Sequence, residues 1–350
     1  MIKSLQVFRA FAAMLVMVQH VNVVLLKYFD GTIPDTTFRP IGSSGVFFFF
    51  TLSGFIIFHA HRHEVLKRTL LPQYFVKRVV RILPIYWIVT LALLPAWLLV
   101  PSFGEEYNRS FPALVKSLLL IPQSHYPHLP VGWTLIHEGL FYVVFGLFFL
   151  TRHFNRLLIA WVAAIVIHLI VPSGNWLFEF YLSPLNLLFL IGLGIATNLT
   201  WIKANLSGPV LFTAGVAGFV AGIAASLLRL EEVYSNLIFA ISSIVLVMAS
   251  ANGGIEKIFE KQRFLVFVGA ASYSIYLIHY PIMSVLSKVL VRAEEWVSVP
   301  VSLVVVILFA GSLFAGILLH LWVEKPILAA CARLIRAREK PVISGAVVKA

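Results

Sequence analysis

The chain has 350 residues, of which 60% are hydrophobic and only 12% are charged, whereas roughly a quarter of the residues in a soluble domain are charged; this composition excludes an ordinary water-soluble fold. The net charge of +12 does not indicate a nucleic-acid-binding protein, because the charges lie in short segments between apolar stretches. The single cysteine, Cys331, excludes an internal disulfide and a multi-thiolate metal site.

Apolar stretches near the length of about 20 residues that crosses a bilayer follow one another along the chain. In lipid, backbone hydrogen bonds must be satisfied within helices or closed barrels. We therefore predict an all-α fold, a polytopic transmembrane bundle of about ten helices. The predicted spans are 5–26, 43–61, 80–100, 132–150, 155–171, 182–199, 209–227, 235–250, 265–287 and 299–322.

The distribution of lysine and arginine predicts the orientation, because cytoplasmic loops are enriched in both residues. With the N-terminus in the cytoplasm, the cytoplasmic segments hold 19 of these residues and the opposite segments hold 7. Both termini are therefore expected to be cytoplasmic. Residues 1–326 should form the transmembrane domain, and residues 327–350 a short basic tail that lies against anionic lipid.

Two ionisable residues, Arg9 and His20, lie within the first apolar helix, where such groups are costly and indicate a functional site. Eleven residues make about three helical turns, so both side chains project from nearly one face, about 16 Å apart along the axis. The alternatives are snorkelling of Arg9 toward the cytoplasmic interface and a structural role for His20.

The second span begins with small residues, Gly42 to Gly45, continues with Phe47 to Phe50, and then carries Ser53 and Gly54. Small residues let helix backbones approach closely, and an aromatic block can form the wall of a slot. Packing alone accounts for this pattern as a seam of the bundle.

The next helix carries Arg78 and Arg81 on one face as it enters the membrane from the cytoplasm. Their spacing suits a phosphate gripped from two sides, as in a nucleotide-bearing cofactor. The alternative is a pair of positive charges that bind lipid headgroups.

The fourth span carries a carboxylate, Glu138, with Tyr142 one turn further on, so that the two side chains can pair. Burial would make this carboxylate suitable for proton transfer, or it could partner an arginine. The ninth span carries Ser272, Tyr273 and His279 on a polar stripe, for which interhelical hydrogen bonding is the favoured interpretation. His59, His61 and His63 alternate at a helix end and do not favour a metal site.

These motifs, in this order, resemble the pattern of membrane-bound acyltransferase family 3 along nearly the whole chain, and the opening residues are most similar to the exopolysaccharide-modifying branch. The motifs that carry the resemblance are Arg9 with His20, the Gly42-to-Phe55 block, Arg78 with Arg81, Trp133 with Glu138, Ser272 to Ser274 with His279, and Glu324-Lys325-Pro326. Thr134 departs mildly from the pattern, because serine is more common there.

The resemblance implies an O-acyltransferase of the cell inner membrane that uses acetyl-CoA or another acyl-CoA and no metal. The acceptor would be a surface polysaccharide or its lipid-linked precursor, and membrane lipids and polysaccharide-assembly proteins are the expected partners. Arg78 and Arg81 would hold the phosphates of the donor, with Ser53 and Tyr142 also in the donor site.

In the mechanism that we expect from the resemblance, Arg9 positions the thioester and His20 takes the hydroxyl proton or carries the acyl group briefly. Glu138 would orient His20 or neutralise Arg9. A shared tunnel would join Arg9 and His20 at different depths. A transporter, for which no repeated half is found, and a non-catalytic subunit of polysaccharide export are the alternative functions.

Overall fold

The computed structural model describes residues 3–29, 35–99, 105–294 and 298–339. Within these ranges the secondary structure is helical, with short 3₁₀ turns and no strand. The α-helices are α1 Lys3–Tyr28, α2 Asp35–His61, α3 Leu71–Leu99, α4 Phe111–Leu118, α5 Trp133–Gly146, α6 Phe154–Ile170, α7 Trp176–Tyr181, α8 Leu185–Thr197, α9 Leu199–Asn205, α10 Gly208–Leu227, α11 Glu232–Asn252, α12 Arg263–Ala270, α13 Ser272–Glu294, α14 Val301–Leu319 and α15 Lys325–Glu339.

The number of spans agrees with the prediction. Among the described residues, 9 helical segments are long and apolar enough to cross a bilayer. The predicted span 155–171 corresponds to α6, a shorter apolar helix of 17 residues. The protein is therefore a multi-pass membrane protein with an all-helical fold.

Helix boundaries differ from the prediction at both ends of the bundle. The third helix begins at Leu71, well before the predicted residue 80. The prediction started too late because the first turns carry Lys77 and Arg78 and are too polar to be recognised as part of an apolar span. The last span continues through a π-helical turn, His320–Glu324, into α15. The tail boundary at residue 326 stays a prediction, and residues 340–350 lie outside the described ranges.

Helix α2 is the most enclosed of the long helices and packs against α1, α8 and α11. Its contact with α8 depends on two glycines: a Cβ at Gly54 would overlap the carbonyl oxygen of Phe189, and a Cβ at Gly192 would overlap that of Thr51. The backbones therefore approach as closely as the small residues allow. The predicted seam is confirmed, and it places the other face of α2, with Ser53, toward α3 and α5.

Candidate active site

A cavity lies between α1, α2, α3, α5 and α13 and brings together most of the predicted site residues. Those that line it are Arg9, Ser53, Arg78, Arg81, Glu138 and Tyr142. Phe49 and Phe50 form part of its wall, as the aromatic block of the second span suggested. The cavity encloses about 110 Å³, which is several times the roughly 10–15 Å³ that one water needs by the same measure.

The carboxylate of Glu138 is held by two hydroxyl groups. Ser53 Oγ donates a hydrogen bond to Glu138 Oε1 at 3.0 Å, and the hydroxyl of Tyr142 donates to the same oxygen. The predicted pairing of Glu138 with Tyr142 is thus confirmed. These hydrogen bonds come from Ser53 and Tyr142 and not from His20, so the structure does not place Glu138 as the residue that orients that histidine.

The side chain of Arg78 is held in place by a histidine at the C-terminal end of α2. Its Nη2 donates to His61 Nε2 at 3.3 Å, and His61 Nδ1 donates to Glu64 Oε2 at 2.7 Å. Because Nδ1 carries the proton toward Glu64, Nε2 is the acceptor for Arg78. Arg78 lines the cavity, and its Nε is buried without a hydrogen-bond partner.

Arg9 and Arg81 give the cavity an excess of positive charge. Within the described residues, no hydrogen bond or ion pair of either guanidinium is found. With Arg78, the cavity wall carries three guanidinium groups and a single carboxylate, Glu138. An apolar bundle that holds such an imbalance is suited to an anionic ligand.

A second buried carboxylate, Glu324, lies within electrostatic range of Arg9. Its Oε2 accepts hydrogen bonds from Ser274 Oγ at 2.6 Å and from His320 Nδ1 at 2.7 Å. Glu324 ends the π-helical turn, a local distortion that is frequent at functional sites. Glu324 was not predicted to be a site residue, although a carboxylate at the end of an apolar span could have indicated one.

His20 corrects the predicted geometry, because it is not among the residues that line the cavity holding Arg9. Its Nδ1 instead lies 3.2 Å from Nε2 of His279, on α13, and its ring contacts that of Tyr280. The expectation of one cavity that reaches both Arg9 and His20 is wrong for this structure. Two residues about 16 Å apart along a helix share a face, but sharing a face does not place both on one cavity.

Tyr276 and Thr134, which both line the cavity and contact each other, are here called the cavity floor. Tyr276 lines the cavity, and its hydroxyl lies 2.9 Å from Thr134 Oγ1 and 3.1 Å from the carbonyl oxygen of Val131. His279 lies three residues further along α13, next to His20. Sequence reasoning did not identify either floor residue as part of the site, because a tyrosine and a threonine in apolar helices are ordinary packing residues.

Two further polar residues of α13, Tyr273 and Ser274, bind other helices as predicted, whereas the buried Oγ of Ser272 has no hydrogen-bond partner. Tyr273 donates to the carbonyl oxygen of Ile82 on α3 at 2.7 Å, and Ser274 donates to Glu324 as described above. The contacts of Tyr273 and Ser274 account for this part of the polar stripe as interhelical hydrogen bonding.

The histidines at the end of α2 have separate partners. His59 contacts Arg62, whereas His61 contacts Glu64 and Arg78.

The comparisons with known proteins agree with this geometry. A family model described as an acyltransferase domain, that of acyltransferase family 3, matches residues 2–321. The exopolysaccharide production protein ExoZ of Rhizobium meliloti (strain 1021) is 28% identical over 87% of this chain and 93% of its own length. The acyltransferase MdmB of Streptomyces mycarofaciens is 26% identical over 86% of this chain and 84% of its own length. No solved structure gives a significant match.

The matched region contains every helix that lines the cavity and nearly the whole bundle. A family model that covers this much of the chain establishes membership, and it agrees with the motifs found in the sequence. The chain is an acyltransferase enzyme and belongs to membrane-bound acyltransferase family 3.

Proposed function

We propose that this enzyme transfers an acyl group, with acetyl as the expected group, from acyl-CoA to a hydroxyl of a cell-surface polysaccharide or of its lipid-linked precursor. The membrane would be the inner, cytoplasmic one. The observation that carries the proposal is the cavity in which Arg9, Arg78 and Arg81 face a single carboxylate. The name of ExoZ, an exopolysaccharide production protein, supports a saccharide acceptor.

The residues of the cavity fit the chemistry of an acyl-CoA donor. Guanidinium groups bind phosphate through two parallel hydrogen bonds, and three of them, those of Arg9, Arg78 and Arg81, line the cavity. A cavity of about 110 Å³ is smaller than the roughly 300–1,000 Å³ of pockets that hold a whole drug-sized ligand, so we propose that only the thioester end of the donor enters it. The nucleotide would therefore lie at the cytoplasmic mouth, near the first turns of α3, with its arm between the helices.

In this mechanism Arg9 positions the thioester carbonyl, and Glu138 keeps the local charge balanced against Arg9 and Arg81. His20 takes the proton of the acceptor hydroxyl as the oxygen attacks the carbonyl carbon, or carries the acyl group itself. Because His20 does not line the cavity that would hold the thioester, the two must come together before transfer, and movement of Tyr276 and Thr134 at the cavity floor is the proposed route. A closed floor would also keep water and acceptor from the thioester until both substrates are bound.

The test compares cells that lack this protein with the same cells complemented by the wild type or by His20→Ala. Membranes are supplied with radiolabelled acetyl-CoA, label is counted in the polysaccharide and lipid-linked fractions, and the surface polymer is analysed by mass spectrometry. We expect transfer by the wild type and none by a variant inserted at the same level. Acyl groups that persist without the protein would refute the proposed function, and loss of polymer export in His20→Ala would favour a transporter or export subunit.

A further inference from the structure

Ser272, the first residue of α13, carries a buried hydroxyl that no group in the described part of the chain binds. The residue is 1% exposed and lines the cavity, and its Oγ has no hydrogen-bond partner. A buried polar atom without a partner costs free energy, and native proteins contain few such atoms. On the wall of a cavity, an atom of this kind indicates a hydrogen bond that forms with a ligand.

Other serines of the bundle show how a structural hydroxyl behaves. Ser242 and Ser287 each donate to the backbone carbonyl oxygen four residues earlier, at 2.7 and 2.6 Å. Ser235 and Ser250 also have a buried hydroxyl without a partner, but neither lines the cavity. Of these three serines with an unpaired hydroxyl, only Ser272 lies on the cavity wall.

The hydroxyl of Ser272 lies at a depth in the bundle similar to that of Arg9. Helix α1 packs against α12 and α13, and a Cβ at Gly269 would overlap the carbonyl oxygen of Gln6. The pair of histidines described above lies further along both segments, so the two run in parallel. Arg9 follows Gln6 by three residues and Ser272 follows Gly269 by three residues, which brings both to one level of the same cavity.

We propose that the hydroxyl of Ser272 donates a hydrogen bond to the carbonyl oxygen of the donor thioester and, with Arg9, stabilises the negative charge that develops there during transfer. This inference rests on the proposed function, because it assigns a second residue to the carbonyl that Arg9 would position. A fixed donor aimed at a developing oxyanion lowers the barrier, and its effect is larger in a site shielded from bulk water. The hydrogen of this hydroxyl is not donated within the protein.

The step that this hydrogen bond assists is the attack of the acceptor on the thioester. The acceptor oxygen bonds to the carbonyl carbon while its proton passes to the base, which is His20 in the proposed mechanism. The electron pair of the carbon–oxygen double bond moves to oxygen, where Ser272 and Arg9 stabilise it. When the double bond forms again, the carbon–sulfur bond breaks with its electron pair on sulfur, and the thiolate takes the proton from the base. Ser272 keeps its own proton throughout.

Steady-state kinetics of Ser272→Ala test this role. We expect kcat to fall by about 100- to 1,000-fold, the loss typical of one oxyanion donor. The KM for acetyl-CoA should change little, because the lost interaction is strongest in the transition state. Ser272→Thr keeps a hydroxyl and should recover most of the loss. An unchanged kcat in Ser272→Ala, with or without a raised KM, would overturn the inference.

Ser250→Ala is the matched control, because it also removes a buried and unpaired hydroxyl but one that does not line the cavity. Its kcat should stay within about twofold of the wild type. Neither alanine variant breaks a hydrogen bond of the protein, so the melting temperature of both should stay within about 2 °C of the wild type. An equal loss of kcat in both variants, or a lower melting temperature for Ser272→Ala alone, would show a structural role and overturn the inference.

A measurement on the bound donor tests the hydrogen bond without relying on transfer. Acetyl-CoA with carbon-13 at the thioester carbonyl has an infrared band whose frequency falls when the oxygen accepts hydrogen bonds, because the double bond is polarised. With purified enzyme and no acceptor, we expect a higher frequency in Ser272→Ala than in the wild type. The same frequency in both would overturn the inference and leave the proposed function standing, whereas a wild-type enzyme that binds no labelled acetyl-CoA would refute the proposed donor itself.

Discussion

The donor site can be tested at Arg78, whose surroundings allow the size of the effect to be worked out. Its Nη2 is engaged by His61, but its buried Nε has no protein partner. A hydrogen bond to a charged group contributes about 1.5–3 kcal/mol, and each 1.4 kcal/mol is a factor of ten. Arg78→Gln should therefore raise the KM for acyl-CoA by about 10- to 150-fold.

The kinetic pattern distinguishes binding from chemistry. If Arg78 holds donor phosphate throughout the reaction, its loss should raise KM and change kcat little, since uniform binding is removed. Arg78→Lys keeps the charge but loses the planar fork, so its KM should fall between those of the glutamine variant and the wild type. Initial rates of label transfer across a range of acetyl-CoA concentrations give both constants.

A matched control is available at Arg62, which lies at the same end of α2, is exposed, and donates to the carbonyl oxygen of His59 at 2.8 Å. Arg62→Gln should leave KM within about twofold of the wild type, because exposed charges are screened and contribute little. An unchanged KM in Arg78→Gln, or an equal rise in both variants, would show that the cavity arginine does not bind the donor.

Three further predictions concern packing, pH and charge. Gly192→Ala, whose new Cβ meets Thr51, should destabilise the bundle by about 1–3 kcal/mol in thermal unfolding, whereas Gly194→Ala, which has open space around it, should not. Burial lowers the pKa of His128, in the loop between α4 and α5, below its ordinary 6.5, so the folded state loses stability as pH falls below that value. His128→Gln should therefore flatten the dependence of melting temperature on pH. Glu138→Gln should cut acyl transfer at least tenfold with normal insertion, and wild-type rates would exclude a role for its charge.

Most of the cavity could be predicted from the sequence because ionisable groups are rare in apolar helices. Arg9, Arg81 and Glu138 stand out in such segments and must face the interior, so residues far apart in the chain converge. Ser53, by contrast, was expected in the donor site only from the family resemblance, because packing alone accounts for the small residues around it. The helix that carries Arg81 begins earlier than predicted, because its polar first turns resemble a loop in any test based on hydropathy.

The parts that could not be predicted depend on packing between helices. The position of His20 on its own helix does not show whether it lines a cavity. That depends on contacts between helices, such as the one between Tyr276 and Thr134. The partnership with His279 is likewise invisible, because a histidine on a polar stripe has many potential partners. Tertiary contacts of this kind decide which of several polar residues meet.

The charge of the cavity bears on whether it is a structural feature or a binding site. Guanidinium groups that only hold helices together are expected to be paired with carboxylates, since an unpaired buried charge is strongly destabilising. Here Ser53 and Tyr142, not arginines, bind the carboxylate of Glu138, and among the described residues Glu324 and Glu138 act on Arg9 only at a longer range than a salt bridge. Unbalanced positive charge in the cavity destabilises the fold when no ligand is bound, and a bound anion would offset that loss of stability. The excess of positive charge on the cavity wall therefore supports the proposal that the anionic donor binds here.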